Sequence, residues 1–389
     1  MSNPRVLFLD QAGVLGGAEL CLLDVARAFR TTSRVVLFED GPFRERLEDA
    51  GIPAEVYPAP PALLDVKKAA GWTSALRAVP GLVRLTAQVA RAARDYDVIF
   101  ANSQKAMLVA GLAGMMARRP VIWSLHDMLT AGHFSALNRR VAVTGANWLV
   151  DHVIANSRAT QSAFRRGGGQ VEKTTVVHNG IDAGPFEAVD SSDLEALREE
   201  LDCSGAPLLG VFGRLAPWKG QHVVLEALTD LPDAHALLVG DTLFRGDEPY
   251  EETLRRTARH LNVADRVHFL GFRDDVPRLM TLVDLVLHTS VAPEPFGRVI
   301  VEGMLAGTPV IATRAGGPTE IVREPDTGVL VPPDDPQALA TAVEDLLSAP
   351  DRTRSMGRAA QAYARRHFSL DRMRRGVERV ISEVCRDPR

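Results

Sequence analysis

Short, nearly uninterrupted apolar runs alternate with longer stretches of helical period, first through residues 1–185 and again through 186–366. In the first half Val6-Leu7-Phe8-Leu9, Val35-Val36-Leu37-Phe38, Val98-Ile99-Phe100-Ala101, Val121-Ile122-Trp123 and Val153-Ile154-Ala155 recur at strand length. A helical pattern from Ala18 to Phe29 follows the first of them. Strands that are apolar on every residue, not on every second one, are covered on both faces. That is the mark of parallel strands with helices above and below. The second half restarts with Leu208–Phe212 and continues through Ala236–Val239, Val267–Leu270, Leu285–Leu287 and Val310–Ala312. A chain of 389 residues exceeds one ordinary core. The pattern therefore predicts two doubly wound, Rossmann-like α/β domains, 1–185 and 186–366, whose strand C-terminal ends face a central cleft. The polar segment Asp182–Gly205 reads as the linker plus a short helix, and Gly167-Gly168-Gly169 as a turn.

Charge divides the chain unevenly. Residues 1–185 carry 21 Lys/Arg against 16 Asp/Glu, residues 186–365 carry 17 against 29, and the tail 366–389 carries 7 against 4. The tail thus shares the sign of the first half, which suits packing there. Four Trp and four Tyr, widely spread, with no basic stripe between them, argue against nucleic-acid binding. The start MSNPRVLFLD lacks a cationic segment followed by an apolar run, and no run of 18 apolar residues occurs. Cys21, Cys203 and Cys385 match neither a disulfide framework nor a zinc spacing. A cytoplasmic protein is expected. The stretch 66–94 holds Lys67, Lys68, Arg77, Arg84, Arg91 and Arg94 with no acid, among Leu76, Leu82, Val83, Leu85 and Val89. It reads as a solvated helix face, with peripheral membrane contact as the alternative, and Pro80-Gly81 is expected to break it.

Chemistry gathers at strand ends. Glu294–Glu302 reads EPFGRVIVE: a loop through Pro295 and Gly297, then the start of a buried helix. Gly297 leaves the first helical N–H groups uncovered, and a helix N-terminus favours an anion. Glu294 then points toward hydroxyl groups, so the ligand has a negative middle and hydroxyl-rich ends, as a sugar nucleotide does. The alternative is a helix whose two acids serve its dipole and its exposed face. Gly213-Arg214 and Lys219-Gly220 lie on the turn after Phe212, where Arg offers a planar fork and Lys a point charge to a diphosphate. Surface cations are the alternative. DQAGVLGGAE (10–19) follows the first strand without the G-x-G-x-x-G spacing, so Gly16 and Gly17 suit either an anion or a plain turn. His126 ends the strand 120–123, Asn102-Ser103 and Asn156-Ser157 end two others, and HNGID (178–182) closes a further one.

Taken in order, the Gly16-Gly17 loop, the strand-end His126, N-G-I-D, G-R-x4-K-G and E-x7-E resemble the retaining nucleotide-sugar glycosyltransferases of the GT-B fold, the family-four group. The resemblance covers nearly the whole chain. It implies that Arg214 and Lys219 bind the donor diphosphate, Glu294 the donor sugar and Glu302 the ribose. It also implies that Gly16 and Gly17 lie over the phosphates and His126 near the reacting centre, and that a C-terminal helix, 367–389, crosses back to the first domain. Phe272 and Arg273, which follow the strand ending in Gly271, fall beside the base, and Phe296, Gly297 and Arg298 complete the donor loop. His126, Arg214, Lys219 and Glu294 are the expected catalytic set. Transfer from a nucleoside-diphosphate sugar, UDP by default, to a sugar, lipid-linked or small-molecule hydroxyl is expected, with retention. No Asp-x-Asp follows an apolar strand, so neither metal nor other cofactor is expected; Arg and Lys would carry that charge. The rivals are another GT-B sugar-nucleotide enzyme, such as an epimerase or phosphorylase, and a non-catalytic sugar-nucleotide-binding module.

Overall fold

The computed structural model describes residues 4–60, 72–190, 194–201, 203, 205–242 and 248–386. Lys67 and Lys68 lie outside them. The chain forms two compact units, 1–180 together with 370–389, and 181–369. The first division falls at Gly180, against residue 185 read from the alternating pattern, and Ile181 belongs to the second unit. Its N–H donates to the Phe368 carbonyl (2.8 Å) and it bridges Ser369 in parallel.

The first unit holds, among the described residues, a seven-stranded parallel sheet in the order β3-β2-β1-β4-β5-β6-β7. The strands are β1 Val6–Asp10, β2 Ser33–Leu37, β3 Ala54–Val56, β4 Val98–Ala101, β5 Val121–Leu125, β6 His152–Ala155 and β7 Thr174–Val176. Their apolar character on both faces has a direct consequence in packing. Along β1, Leu7 and Leu9 enter one core with Ile99, Trp123 and Leu129, while Val6 and Phe8 enter another with Leu22, Phe43 and Phe100. The second core is completed by the helix Leu370–Arg386, which buries Met373, Val377, Val380 and Ile381 there.

One element departs from its sequence reading. The helix Trp72–Ala93 runs through Pro80-Gly81 without a break. Proline removes one hydrogen bond and crowds the preceding turn, at a cost of roughly 3 kcal/mol. Burial of Leu85, Val89, Ala90 and Ala93 on the helix Gln104–Ala117 side outweighs that cost. The glycine is there for space: a Cβ at Gly81 would stand 3.0 Å from the Pro60 Cβ.

The second unit holds a six-stranded parallel sheet, order β10-β9-β8-β11-β12-β13, among the described residues. Its strands are β8 Leu208–Phe212, β9 His235–Val239, β10 Val267–Gly271, β11 Leu285–His288, β12 Val310–Thr313 and β13 Val329–Val331. Again one strand feeds two cores, with Leu209 and Val211 on one face and Leu208 and Phe212 on the other. Both sheets reverse strand order beside their first strand, at β1/β4 and at β8/β11. At such a switch point the connections leave in opposite directions and open a crevice at the strand C-terminal ends.

Candidate functional site

In the second unit, the switch point brings together the two segments that carry Lys219 and Glu294. After β8 the chain turns through Gly213 (φ 120°) and Arg214 into a short 3-10 turn, Pro217–Lys219, and then through Gly220 into the helix Gln221–Ala227. Gly220 is left-handed (φ 71°), and a Cβ there would lie 2.0 Å from the Thr289 carbonyl oxygen. Only glycine lets the two segments approach this closely. They are stitched by Val291 N–H donating to the Trp218 carbonyl (2.9 Å) and the Thr289 hydroxyl to that of Lys219 (3.1 Å). Lys219 Nζ lies 4.3 Å from the Trp218 ring centroid.

Glu294 is held from two sides. Its backbone bridges Gly316, and its carbonyl accepts the Gly317 N–H (2.8 Å). Gly316 (φ 80°) meets this carbonyl so closely that a Cβ would be 2.3 Å from it. The carboxylate Oε2 accepts from Lys219 Nζ (2.8 Å) and the Ser290 hydroxyl (2.9 Å), and lies 3.4 Å from His288 Nε2. Burial alone would raise the pKa of this group. Lys219 and His288 outweigh it and hold the Glu294 carboxyl well below the usual carboxylate range. Glu294 is thus a fixed anion, and Lys219 keeps two further N–H donors for another acceptor. His288 and Ser290 were not singled out from sequence; the signal was there, since His288 ends the apolar strand β11 and Ser290 lies two residues beyond it.

Gly297 (φ 101°) caps the helix Arg298–Leu305 and gives it no side-chain acceptor. Arg298 Nε lies 3.5 Å from Glu302 Oε1, one turn apart, with both side chains largely covered. Phe296 is buried edge-on against Phe368 at 5.8 Å, so its ring belongs to the core and only its backbone can meet a ligand. Phe272 is 62% exposed. Arg273 is gripped by Asp275 through two short contacts (2.8 and 2.7 Å). Arg214 accepts the Gln221 side-chain amide on its carbonyl (3.0 Å), and its guanidinium lies 6.0 Å from the Trp218 centroid.

In the first unit, the switch point brings together Asp10, Asn102 and His126. The Asn102 amide donates to Asp10 Oδ2 (2.6 Å), which fixes its orientation and leaves its oxygen facing His126 Nε2 (3.0 Å). The Nε2 atom therefore carries the hydrogen, with Ser124 Oγ also near it (2.9 Å). Burial pushes the Asp10 carboxyl up, only partly offset by Asn102. Burial, reinforced by Asp10, pushes Glu19 up to about 8 and Asp127 up to about 6. The Glu19 carboxylate bends back to the N–H of Gly16, which caps the helix Gly17–Ala26, and to its own. An internal acid thus folds back on Gly16, a one-sided cap, since the glycine has no side chain to answer it.

Two family models match: "Glycosyltransferase Family 4" over residues 15–184 and "Glycosyl transferases group 1" over 195–363. The chain is 42% identical to the Anabaena protein Alr3699/HepE, solved in complex with UDP-glucose, with a TM-score of 0.89 over 98% of this chain and 100% of that one. It is 30% identical to the D-inositol 3-phosphate glycosyltransferase of Salinispora tropica over 331 residues, 78% of this chain and 67% of that protein. It is 33% identical to a GDP-mannose-dependent alpha-(1-6)-phosphatidylinositol monomannoside mannosyltransferase of Mycolicibacterium smegmatis over 233 residues, 57% of this chain and 58% of that protein. The chain spans about half the length of this and three other curated relatives.

Proposed function

The chain belongs to the family-four glycosyltransferases, the glycosyl transferases group 1, with the GT-B fold, and from that premise we propose that it moves a hexosyl group from a nucleoside-diphosphate sugar to a hydroxyl acceptor. UDP is the proposed carrier, supported by the UDP-glucose complex of the 42% identical Anabaena protein. The mannosyltransferase relative is named for GDP-mannose, so membership of the family alone does not select the base.

The observation that carries the reading is the Lys219–Glu294 pair (2.8 Å) beside the glycine-capped helix Arg298–Leu305. One site then offers a fixed anion for sugar hydroxyls and uncommitted ammonium and backbone donors for phosphate. As the glycosidic bond breaks, negative charge grows on the diphosphate. Lys219, Arg214 and the helix N-terminus stabilise that charge more in the transition state than in the bound donor. Glu294 orients the sugar, and Glu302, tied to Arg298, takes the ribose. Phe272 and Arg273 stand beside the base.

Glu294 is spoken for by three donors and is a poor nucleophile, so retention is proposed to arise by attack on the face the diphosphate leaves. No metal is proposed for the chemistry, because the cations already supply the charge. Among the described residues no helix is long and apolar enough to cross a membrane.

The test is UDP release from UDP-glucose with sugar and lipid-linked acceptors, with and without EDTA. Acceptor-dependent release that survives EDTA and falls at least ~100-fold in Lys219→Ala supports the reading. Binding of UDP-glucose without release under any acceptor would favour a non-catalytic module.

A further inference from the structure

Far from the donor-binding edge, the second unit gathers three groups that the glycosyl-transfer reading does not use. Cys203 is buried just after the helix Leu194–Glu200, His235 is the first residue of β9, and His268 is the second of β10. Adjacent parallel strands set the two histidines near one another, with Leu237 in register with His268. The imidazoles stack at 5.3 Å between centroids and 14° between planes. Cys203 Sγ lies 3.3 Å from His268 Nε2 and 3.7 Å from His235 Nδ1, and the two nitrogens are 3.0 Å apart.

These separations have a chemical meaning. A tetrahedral zinc with Zn–S near 2.3 Å and Zn–N near 2.0–2.1 Å sets its ligand atoms about 3.6 Å apart for S···N and about 3.3 Å for N···N. The triangle seen here departs from one face of that tetrahedron by a few tenths of an ångström. The donor set is thiolate and imidazole, which selects zinc-class ions over magnesium and calcium. From this juxtaposition we propose that Cys203, His235 and His268 form a zinc site, with water as the fourth ligand.

The balance of the binding step is simple. The Cys203 thiol releases its proton to solvent and gives up its 3.1 Å contact to the Leu201 carbonyl. His235 binds through Nδ1 and His268 through Nε2, and each ring keeps its hydrogen on the other nitrogen. A monocationic centre replaces the hydrogen bonds among the three side chains. It ties the segment that leads into β8 to the starts of β9 and β10.

All the strands run parallel, so this edge is the N-terminal one. The donor residues lie at the other end of the sheet, about 15 Å away for strands of five residues. The metal therefore serves stability and not the transfer step, and its loss leaves nucleotide binding intact.

The full chain, freed of metal by chelator and kept reduced, is titrated with cobalt(II), which reports a thiolate ligand through a near-ultraviolet charge-transfer band. The expected result is a band that saturates at one equivalent and is bleached by zinc. It should be absent in Cys203→Ser, at least tenfold weaker in binding in His268→Gln, and unchanged in Cys385→Ser. Zinc at a hundredfold excess over its Kd should raise Tm by about 5–10 °C. Absence of a band in the unmodified chain overturns the proposal, as does a band that survives Cys203→Ser. UDP affinity, measured on the same samples, separates this outcome from failure of the donor site.

Discussion

Replacing Lys219 by Met isolates the interaction on which the donor site is built. In the native chain the Glu294 carboxylate is buried, and its side chain retains 11% of its exposure against 20% for Lys219. Removing the ammonium leaves that anion with the Ser290 hydroxyl and His288 alone. Breaking one partner from a buried pair costs about 3–5 kcal/mol, whereas replacing both by neutral groups costs far less. At about 2–4 °C per kcal/mol for a unit of this size, Lys219→Met should lower the second unit's Tm by about 6–20 °C at pH 7. The double variant Lys219→Met/Glu294→Gln should recover most of that loss.

The pH dependence follows from the sign of the shift. The folded carboxyl of Glu294 is depressed, so its contribution is present above the unfolded value of 4.5 and is lost as pH falls through the folded one. Without Lys219 burial dominates, the folded value rises above 4.5, and the variant gains relative stability as the group takes up a proton. The gap between native chain and variant is therefore widest at pH 7 and narrows as pH falls through the variant's raised folded value. Thermal unfolding of the three proteins at pH 7 and pH 4 measures it. A Lys219→Met variant within 1 °C of the native chain at pH 7, or a double variant no better than the single one, would refute the reasoning.

Gly220→Ala should cost more than 3 kcal/mol, since it combines a left-handed φ with a Cβ 2.0 Å from the Thr289 carbonyl; urea titration reads the loss. Glu19 is raised from 4.5 to about 8 in the folded chain, so stability attached to it is full below pH 4.5 and is lost as pH rises to about 8. Glu19→Gln should therefore raise Tm over the native chain at pH 8, with the gain shrinking toward pH 4.5. Phe272→Ala, at a position 62% exposed, should leave Tm within about 1 °C but raise the KM for the nucleotide sugar, which steady-state kinetics separates from kcat.

Much of this architecture is legible in the chain itself. Residues such as Leu7, Phe8, Val211 and Phe212 are apolar without alternation because both faces of each strand are covered, and that pattern named the parallel sheets. The edge strand Ala54–Val56 escaped, since its three residues are only half-buried and form no apolar run. The helix through Pro80 escaped because packing against a neighbour, which local propensity does not contain, decided it. At the site, E-x7-E and G-R-x4-K-G located Glu294 and Lys219, yet nothing local shows that they meet. Their contact depends on Gly220 approaching Thr289, across a separation of 69 residues. For the same reason the Cys203, His235 and His268 cluster is invisible to motif spacing: strand register assembles it.

The second unit's switch point is proposed to hold a nucleoside diphosphate. Calorimetric titration with UDP, GDP and ADP in the presence of EDTA, on the native chain and on Arg214→Ala, tests that directly. UDP should bind the native chain with EDTA present and at least tenfold more weakly in the variant, a loss of about 1.4 kcal/mol or more. Absence of binding by all three nucleotides, or UDP affinity unchanged in Arg214→Ala, would contradict it.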